Sequence, residues 1–412
     1  MSPEHVITVS QARERLARSL AAVPGHEMVG LADSAGRILC EPILALVNVP
    51  ICRVAAMDGY ALAGNPVRAL PFSLAVVGTA LAGHAASVGV DATSTVRIMT
   101  GAVLPTGADS VVMQEDVQVL EGRVQFSHAV VTGQNVRWPG EDLAVGDIAV
   151  AARRRLNAAD VQRAASLGWT TLQVRRRLKV ALFSSGDEVR PIGAPLAENM
   201  VYDSNRQFLI AALKDLDVSV LDLGIVADHQ APIAAALEHA SQTADLLITT
   251  GGASRGDADI VSQLLERLGH TVFAGVAMKP GRPTRLTLLK RSPAPGPLAP
   301  DLAVLSLPGT PSAMLTAFHV FATEAIDLMQ GIGGTARRFS ARLDGSLMGH
   351  ASRTEYVPAR LTYDSDGAIV TAPIRRGASA AGVFDASIDA LVELPAGIYQ
   401  KRPGDAVAVM LL

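Results

Sequence analysis

The sequence predicts an α/β plus β protein: a doubly wound α/β unit, a small β-rich unit and a C-terminal β-barrel. Three observations predict it. From residue 178 to 330, short apolar runs alternate with helical stretches, the rhythm of a mostly parallel sheet covered on both faces. From 51 to 138, short β-like runs are punctuated by Gly and Pro turns. From 335 to 412, strand-like runs and turns return, and a compact barrel is the simplest way to close them.

The chain has 412 residues, enough for two to four domains, and 49% of them are hydrophobic, enough for several cores. Charged residues are only 18%, which argues against extensive disorder. A net charge of −3 gives no global attraction to nucleic acid or an anionic membrane, so neither is an expected partner. Cys40 and Cys52 are the only cysteines, with no CxxC spacing. That argues against a disulfide framework or structural zinc and for a reducing cytoplasm. The first 20 residues lack the apolar centre of a signal peptide. No run reaches the ~18–20 uninterrupted apolar residues of a membrane helix.

Taken in order, Ser10 is the expected N-cap of an amphipathic helix over 11–20. Runs at 72–78, 95–99, 110–114 and 123–126 read as strands of the β-rich unit. Asn157 to Asp160 open a helix that reaches Leu167, and Gly168 stops it. Strands follow at 178–183, 218–223, 244–250, 272–278, 285–289 and 303–307. Helices are expected to 216 after the capping residues Asp203, Ser204 and Asn205, then over 231–241, 257–268 and 311–329. The Pro/Ala-rich insert 291–300 reads as a surface loop. C-terminal strands are expected at 356–362, 368–372, 390–394 and 406–412.

Three loops at strand ends carry most of the chemistry: Ser184-Ser185-Gly186-Asp187-Glu188, the Gly-rich segment from Gly251 and Gly252 to Asp259, and Pro308-Gly309-Thr310-Pro311. Such ends share one crevice in an open α/β sheet. Glycine and small hydroxyls let backbone N–H groups approach an anion. Carboxylates there would repel a bare anion, so a divalent cation is expected between protein and phosphate. Lysine is scarce, which singles out Lys279 in Lys279-Pro280-Gly281-Arg282-Pro283, two cations set among rigid turn residues. Other features have two readings. Asp58 before Gly59 is a turn residue or a catalytic acid. Thr100 caps a turn or bonds a substrate. Glu141-Asp142 is a solvated turn or a magnesium ligand. Asp228 caps the following helix or faces the crevice, capping being the simpler reading. Asp257 is the expected N-cap of its helix, with Asp259 in the first turn.

The order Ala-Met-Asp-Gly-Tyr-Ala, Arg-Ile-Met-Thr-Gly-Ala, Gly-Glu-Asp, Ser-Ser-Gly-Asp-Glu, Tyr-Asp-Ser-Asn, Gly-Gly-x-Ser-x-Gly-Asp, Lys-Pro-Gly-x-Pro and Leu-Pro-Gly-x-Pro resembles the molybdopterin molybdenumtransferase (MoeA) family, which includes the E domain of gephyrin. The resemblance spans about 10–412. It implies an elongated four-domain homodimer: 1–50 with 139–177, 51–138, 178–330 and 331–412. It implies insertion of molybdenum, from molybdate, into adenylylated molybdopterin, with Mg²⁺-dependent pyrophosphate cleavage that releases AMP. The site would lie between the α/β domain of one subunit and the β-rich domain of the other.

Carried onto this chain, Asp58, Thr100, Asp142, Glu188, Asp228 and Asp259 match catalytic positions, and Asp58, Asp142, Glu188 and Asp259 match candidate Mg²⁺ ligands. Ser184, Ser185, Gly186, Asp187, Gly251, Gly252, Ser254, Pro308 and Gly309 would bind the substrate's phosphate and pterin. Lys279, Arg282 and Arg353 are the candidate cations for molybdate. The family also implies hand-over of product to molybdenum-cofactor proteins. The chain departs from the pattern at Arg53-Val54-Ala55, Arg255, Gly275 and Thr310, all around the expected crevice. A catalytically silent molybdopterin-binding or chaperone paralogue is therefore the competing reading.

Overall fold

The computed structural model describes residues 6–64, 69–251, 259–291, 298–299, 301–332, 338–363, 369–373 and 388–412. Gly252, Ser254, Arg255, Asp257 and most of the 291–300 insert lie outside the described residues.

The first helix spans Val9–Ser19 and begins earlier than expected. Thr8, not Ser10, is its N-cap. The Thr8 hydroxyl accepts from the Gln11 N–H at 3.2 Å while Gln11 Oε1 accepts from the Thr8 N–H at 3.0 Å. This reciprocal box satisfies two backbone donors at once, which a start at Ser10 would not. The helix buries Val9, Ala12 and Leu16 in the same core as Leu178, Val180 and Leu182. It therefore packs on the α/β sheet rather than on the neighbouring residues 26–50.

Two separate stretches of chain build the next unit. His26–Gly30 pairs antiparallel with Thr171–Arg175, and Ile43–Leu44 with Ile148–Val150. Leu39, Ile43, Val150, Leu156, Leu172 and Val174 share its core. The β-rich insert between these stretches forms a six-stranded sheet in the order Ser110–Met113, Gly59–Leu62, Ser94–Ile98, Phe72–Ala80, Arg123–Phe126, Val117–Leu120.

The α/β unit is built on six strands in the order Ser219–Val226, Lys179–Ser185, Leu246–Thr250, Asp301–Leu307, Arg285–Lys290, His270–Ala274. The first four are parallel to their neighbours and the last two antiparallel. Alternation along a strand sends successive side chains to opposite faces. Val180 and Leu182 thus join helices Ser204–Lys214 and Pro311–Ala317 in one core, while Ala181 and Phe183 join helices Gln230–Thr243 and Ile260–Leu268 in another. The helix expected over 311–329 is continuous only in direction: a π turn, Phe318–Ala322, divides it.

One expected strand is split. The strand over 272–278 ends at Ala274 because Gly275 takes φ +83°, and Met278–Lys279 pairs instead with Thr354–Tyr363 of the C-terminal unit. In that unit the pairings run Thr354–Tyr363, Ile369–Pro373, Arg338–Leu343, Ala406–Leu411, Ala390–Leu394 and back to Thr354–Tyr363, which closes a barrel. The stray pair brings Lys279 alongside Glu355, and so sets the barrel's Arg353 against the α/β unit.

Candidate functional site

The carboxyl ends of three parallel strands meet at one cleft of about 600 Å³. Ser184, Ser185, Glu188, Asp203, Asn205, Gly251 and Gly309 line it. Gly251 is required by both conformation and space. It holds φ +87°, and a Cβ there would sit 2.2 Å from the Ser185 carbonyl oxygen. Gly186 holds φ +142°, again a glycine conformation. Gly251→Ala is expected to cost about 2–4 kcal/mol, because strain and a backbone clash coincide. Thermal unfolding of the variant measures it; a melt within a degree of the parent would contradict the close approach.

Asp228 does not cap the next helix. His229 occupies the N-cap position of Gln230–Thr243, without a side-chain bond. Among the described residues, Asp228 Oδ1 is buried without a hydrogen-bond partner. Its pKa is raised, first by burial and then by the charges of Asp187 and Glu188. Asp259, by contrast, is the helix N-cap that Asp257 was expected to be. Oδ1 accepts from the Ser262 N–H at 2.9 Å and Oδ2 accepts from the Ser262 hydroxyl at 3.0 Å. The helix starts at Ile260, so Asp259 precedes the first turn rather than standing in it. Burial raises its pKa, the Ser262 bonds lower it, and Asp228 adds like charge.

A second cleft, of about 670 Å³, lies across the Pro308–Ala313 segment from the first. Lys279, Arg282 and Arg353 all line it, so the three expected cations are brought together. Arg353 Nε donates to Glu355 at 2.7 Å. Lys279 and Arg282 are exposed, and among the described residues neither pairs with a carboxylate. Thr310 caps the helix Pro311–Ala317 by position only, with no side-chain bond.

Asp58, Thr100 and Asp142 belong elsewhere in the chain. Asp58 Oδ1 accepts from the Thr100 N–H at 2.7 Å and from its hydroxyl at 2.8 Å. The Thr100 bonds, with Arg97 nearby, hold the Asp58 carboxyl below the usual range. Gly59 is not a turn glycine: it opens a strand, and a Cβ there would lie 2.0 Å from the Val112 carbonyl oxygen. The hydroxyl and the acid are thus one unit, Thr100 on Asp58, held where the paired strands Gly59–Leu62 and Ser94–Ile98 begin and end. Asp142 pairs with Arg137, as does Glu141. The charges acting on Asp228 are Asp187, Glu188 and His229, and those on Asp259 are Arg285 and Asp228. Asp58 and Asp142 are not among them. Within one chain, then, Glu188 and Asp259 flank Asp228, while Asp58 and Asp142 stand apart.

Two positions read from sequence only as helix caps prove to shape the site. Asp203 does cap Ser204–Lys214, yet it also accepts from the Ser184 hydroxyl at 2.8 Å and pairs with Arg206 Nε at 2.7 Å. Asn205 bridges the strand-end loops, donating through Nδ2 to Thr250 Oγ1 and to the Gly309 carbonyl, both at 2.7 Å. A charged and an amide residue one position apart at a helix start, Asp203 and Asn205 around Ser204, is the signal that marked them.

Comparison with known proteins agrees along the whole chain. Residues 7–168 match the MoeA N-terminal region (domain I and II), 181–327 a probable molybdopterin binding domain, and 340–412 the MoeA C-terminal region (domain IV). A molybdopterin molybdenumtransferase from Haemophilus influenzae is 35% identical over 327 residues, 79% of this chain and 78% of that protein. One from Bacillus subtilis is 29% identical over 397 residues, 94% of this chain and 90% of that protein. The crystal structure of a molybdopterin biosynthesis MoeA protein from Pyrococcus horikosii superposes with a TM-score of 0.76 at 28% identity, covering 99% of both chains. On these matches the chain belongs to the MoeA family of molybdopterin molybdenumtransferases.

Proposed function

We propose that this protein inserts molybdenum from molybdate into adenylylated molybdopterin, and that cleavage of the substrate's pyrophosphate releases AMP. The observation that carries the reading is Asp228: a carboxylate oxygen buried with no partner among the described residues, under the charges of Asp187 and of Glu188, and Glu188 lines a cleft of hydroxyls and glycines. Three like charges held this way repel one another and fit a divalent cation. Among the described residues no three His, Cys, Asp or Glu converge as a finished ligand set. Mg²⁺ keeps waters and can be held by one or two carboxylates along with substrate phosphates, so it does not require a finished set. One or two of Glu188, Asp187 and Asp228 would hold it together with the substrate's phosphates; bound there, it would neutralise charge developing on the pyrophosphate. Asp259 keeps its oxygens on Ser262 and acts as the cap of the helix Ile260–Leu268.

The cation-lined cleft next door supports molybdate as the second substrate, since a dianion needs fixed positive charge. Lys279→Ala and Arg353→Ala are each expected to raise the molybdate concentration for half-maximal rate about 10-fold, the value of one charge-assisted contact. Unchanged molybdate dependence in both would remove this cleft from the reaction.

A homodimer is part of the proposal. Leu46, Ile51, Val145 and Ile148 are 59–72% exposed on the unit built from the two chain segments. Apolar surface of that kind suits a partner copy. Such a dimer would bring Asp58, Thr100 and Asp142 of one subunit to the α/β cleft of the other. The proposed units are 51–138, 178–330, 331–412 and a discontinuous one from 1–50 with 139–177, its first helix given to the α/β unit. The direct test is AMP release from adenylylated molybdopterin with Mg²⁺ and molybdate. Tight binding with no AMP would instead identify a silent carrier that holds molybdopterin for molybdenum-cofactor proteins.

A further inference from the structure

Two arginine triplets, Arg153 to Arg155 and Arg175 to Arg177, stand at the end of the discontinuous unit's second stretch. Bridges from Ile38 to Arg155 and from Leu39 to Val174 draw both to one edge. There Arg155 and Arg177, joined by Arg37, close on a single turn of the α/β unit, Leu216-Asp217. That turn follows the helix Ser204–Lys214, and the last carbonyls of a helix lack partners and carry partial negative charge. Arg155 Nη1 donates to the Leu216 carbonyl at 3.0 Å and to the Gly36 carbonyl of its own unit at 2.9 Å. Its Nη2 donates to Gln330 Oε1 at 2.7 Å, and Gln330 Nε2 donates to the same Leu216 carbonyl at 2.9 Å. Asp217 Oδ1 accepts from Arg177 Nε at 2.8 Å, and Arg37 Nε lies 3.0 Å from Oδ2. Arg37 is 3% exposed and also donates to the Arg175 carbonyl at 2.9 Å. A planar guanidinium that bonds carbonyls of both units fixes an angle as well as a distance, which a single point charge would not.

The far end of the same helix lies in the strand-end cleft. Asp203 caps it and accepts from Ser184, and Asn205 ties it to Thr250 and Gly309. Its 11 residues make a rod about 16 Å long at a rise of about 1.5 Å per residue. The β-rich sheet, in turn, joins the discontinuous unit through two paired crossings, Val54–Ala55 with Val136–Arg137 and Val49 with Leu143. Where the discontinuous unit points, the sheet and Asp58 therefore follow.

We propose that Arg37, Arg155 and Arg177 are positioning residues: they lock the discontinuous unit at one angle to the helix that floors the cleft, and so set where each subunit presents Asp58 to its partner. The inference rests on the functional reading above, in which the β-rich sheet of one copy meets the α/β cleft of the other. None of the three touches substrate. Losing the lock should cost alignment and leave binding in the cleft intact.

The test uses full-length protein with Cys40→Ser and Cys52→Ser, spin-labelled at Val119 of the β-rich sheet and Leu268 of the α/β unit, both exposed, and diluted with unlabelled protein so that distances within one subunit are read. Arg155→Met keeps the apolar stem and loses all three bonds. Its distance distribution should be at least about twofold wider than the parent's, as for a freed hinge. Its kcat for AMP release should fall at least about 10-fold while KM for adenylylated molybdopterin stays within about twofold. A width equal to the parent's overturns the lock. A wider distribution with kcat unchanged, or with the loss falling on KM, overturns the positioning role. If Arg155→Met does not fold, the half-exposed Arg177→Met, which loses its bond to Asp217, decides by the same readouts. AMP released by the parent while the variant keeps the parent's width removes this inference and leaves the transferase reading. A wider variant with no AMP from the parent does the reverse.

Discussion

Asp228→Asn will lower the rate of AMP release by about 10²–10³-fold and will raise, not lower, the temperature of unfolding. The two effects share one cause. Burial and the neighbouring Asp187 and Glu188 make the charged form of Asp228 costly, so its pKa in the folded protein lies above the ordinary carboxylate value of 3.8. Between the ordinary and the raised pKa the folded state binds the extra proton, and stability falls as pH rises through that window. Above it the full penalty is present. Asparagine removes the charge and keeps the shape, so the variant gains most over the parent at about pH 8 and gains less as the pH falls through the raised pKa and the parent takes up the proton. Magnesium should act oppositely on the two proteins, stabilising the parent by neutralising the charge and doing little for the variant. Melting curves across this pH range, with and without Mg²⁺, and a single AMP-release assay check all of this. A variant that melts lower at pH 8, or turns over normally, would mean that Asp228 is a structural acid and no part of a metal site.

Much of the architecture was legible because it rests on periodicity. Strands such as Leu246–Thr250 and Asp301–Leu307 are buried on both faces and read as apolar runs, and the helices between them carry a 3.6-residue stripe. What was illegible depends on contacts distant in sequence. Gly275 breaks a run that is apolar on both sides, so the transfer of Met278–Lys279 to the barrel cannot be read from hydropathy. The start of the first helix turned on a reciprocal Thr8–Gln11 bond that competes with an equally plausible Ser10 cap. At the site, the strand-end loops, Lys279 and Arg282 were found by composition and spacing, and Arg353 by the family resemblance. The roles of the acids were not, because a carboxylate before a helix looks the same whether it caps, as Asp259 does, or leaves an oxygen buried with no partner among the described residues, as Asp228 does. Only the identity of the actual N-cap, His229, separates the two.

The largest recovery of activity is expected from mixing two dead proteins. Asp58→Asn and Glu188→Gln should each release AMP at least about 100-fold more slowly than the parent, since each removes one charge from the reacting centre. Both should fold normally. The asparagine carbonyl can still accept both Thr100 bonds, and Glu188 is exposed. Asp58 immediately precedes the Gly59–Leu62 strand of the β-rich unit and Glu188 lines the α/β cleft, and the proposed dimer brings the two acids together from different copies. A heterodimer of the two variants then holds one site with both defects and one with neither. Random assortment makes about half of all dimers mixed, so co-refolded material should recover about a quarter of the parent rate. The recovery should vanish on dilution below the dimer's dissociation constant. No recovery from co-refolded protein shown to be dimeric would place the Asp58 pair outside the reacting centre, because a site built within one chain gains nothing from a partner that carries the missing acid.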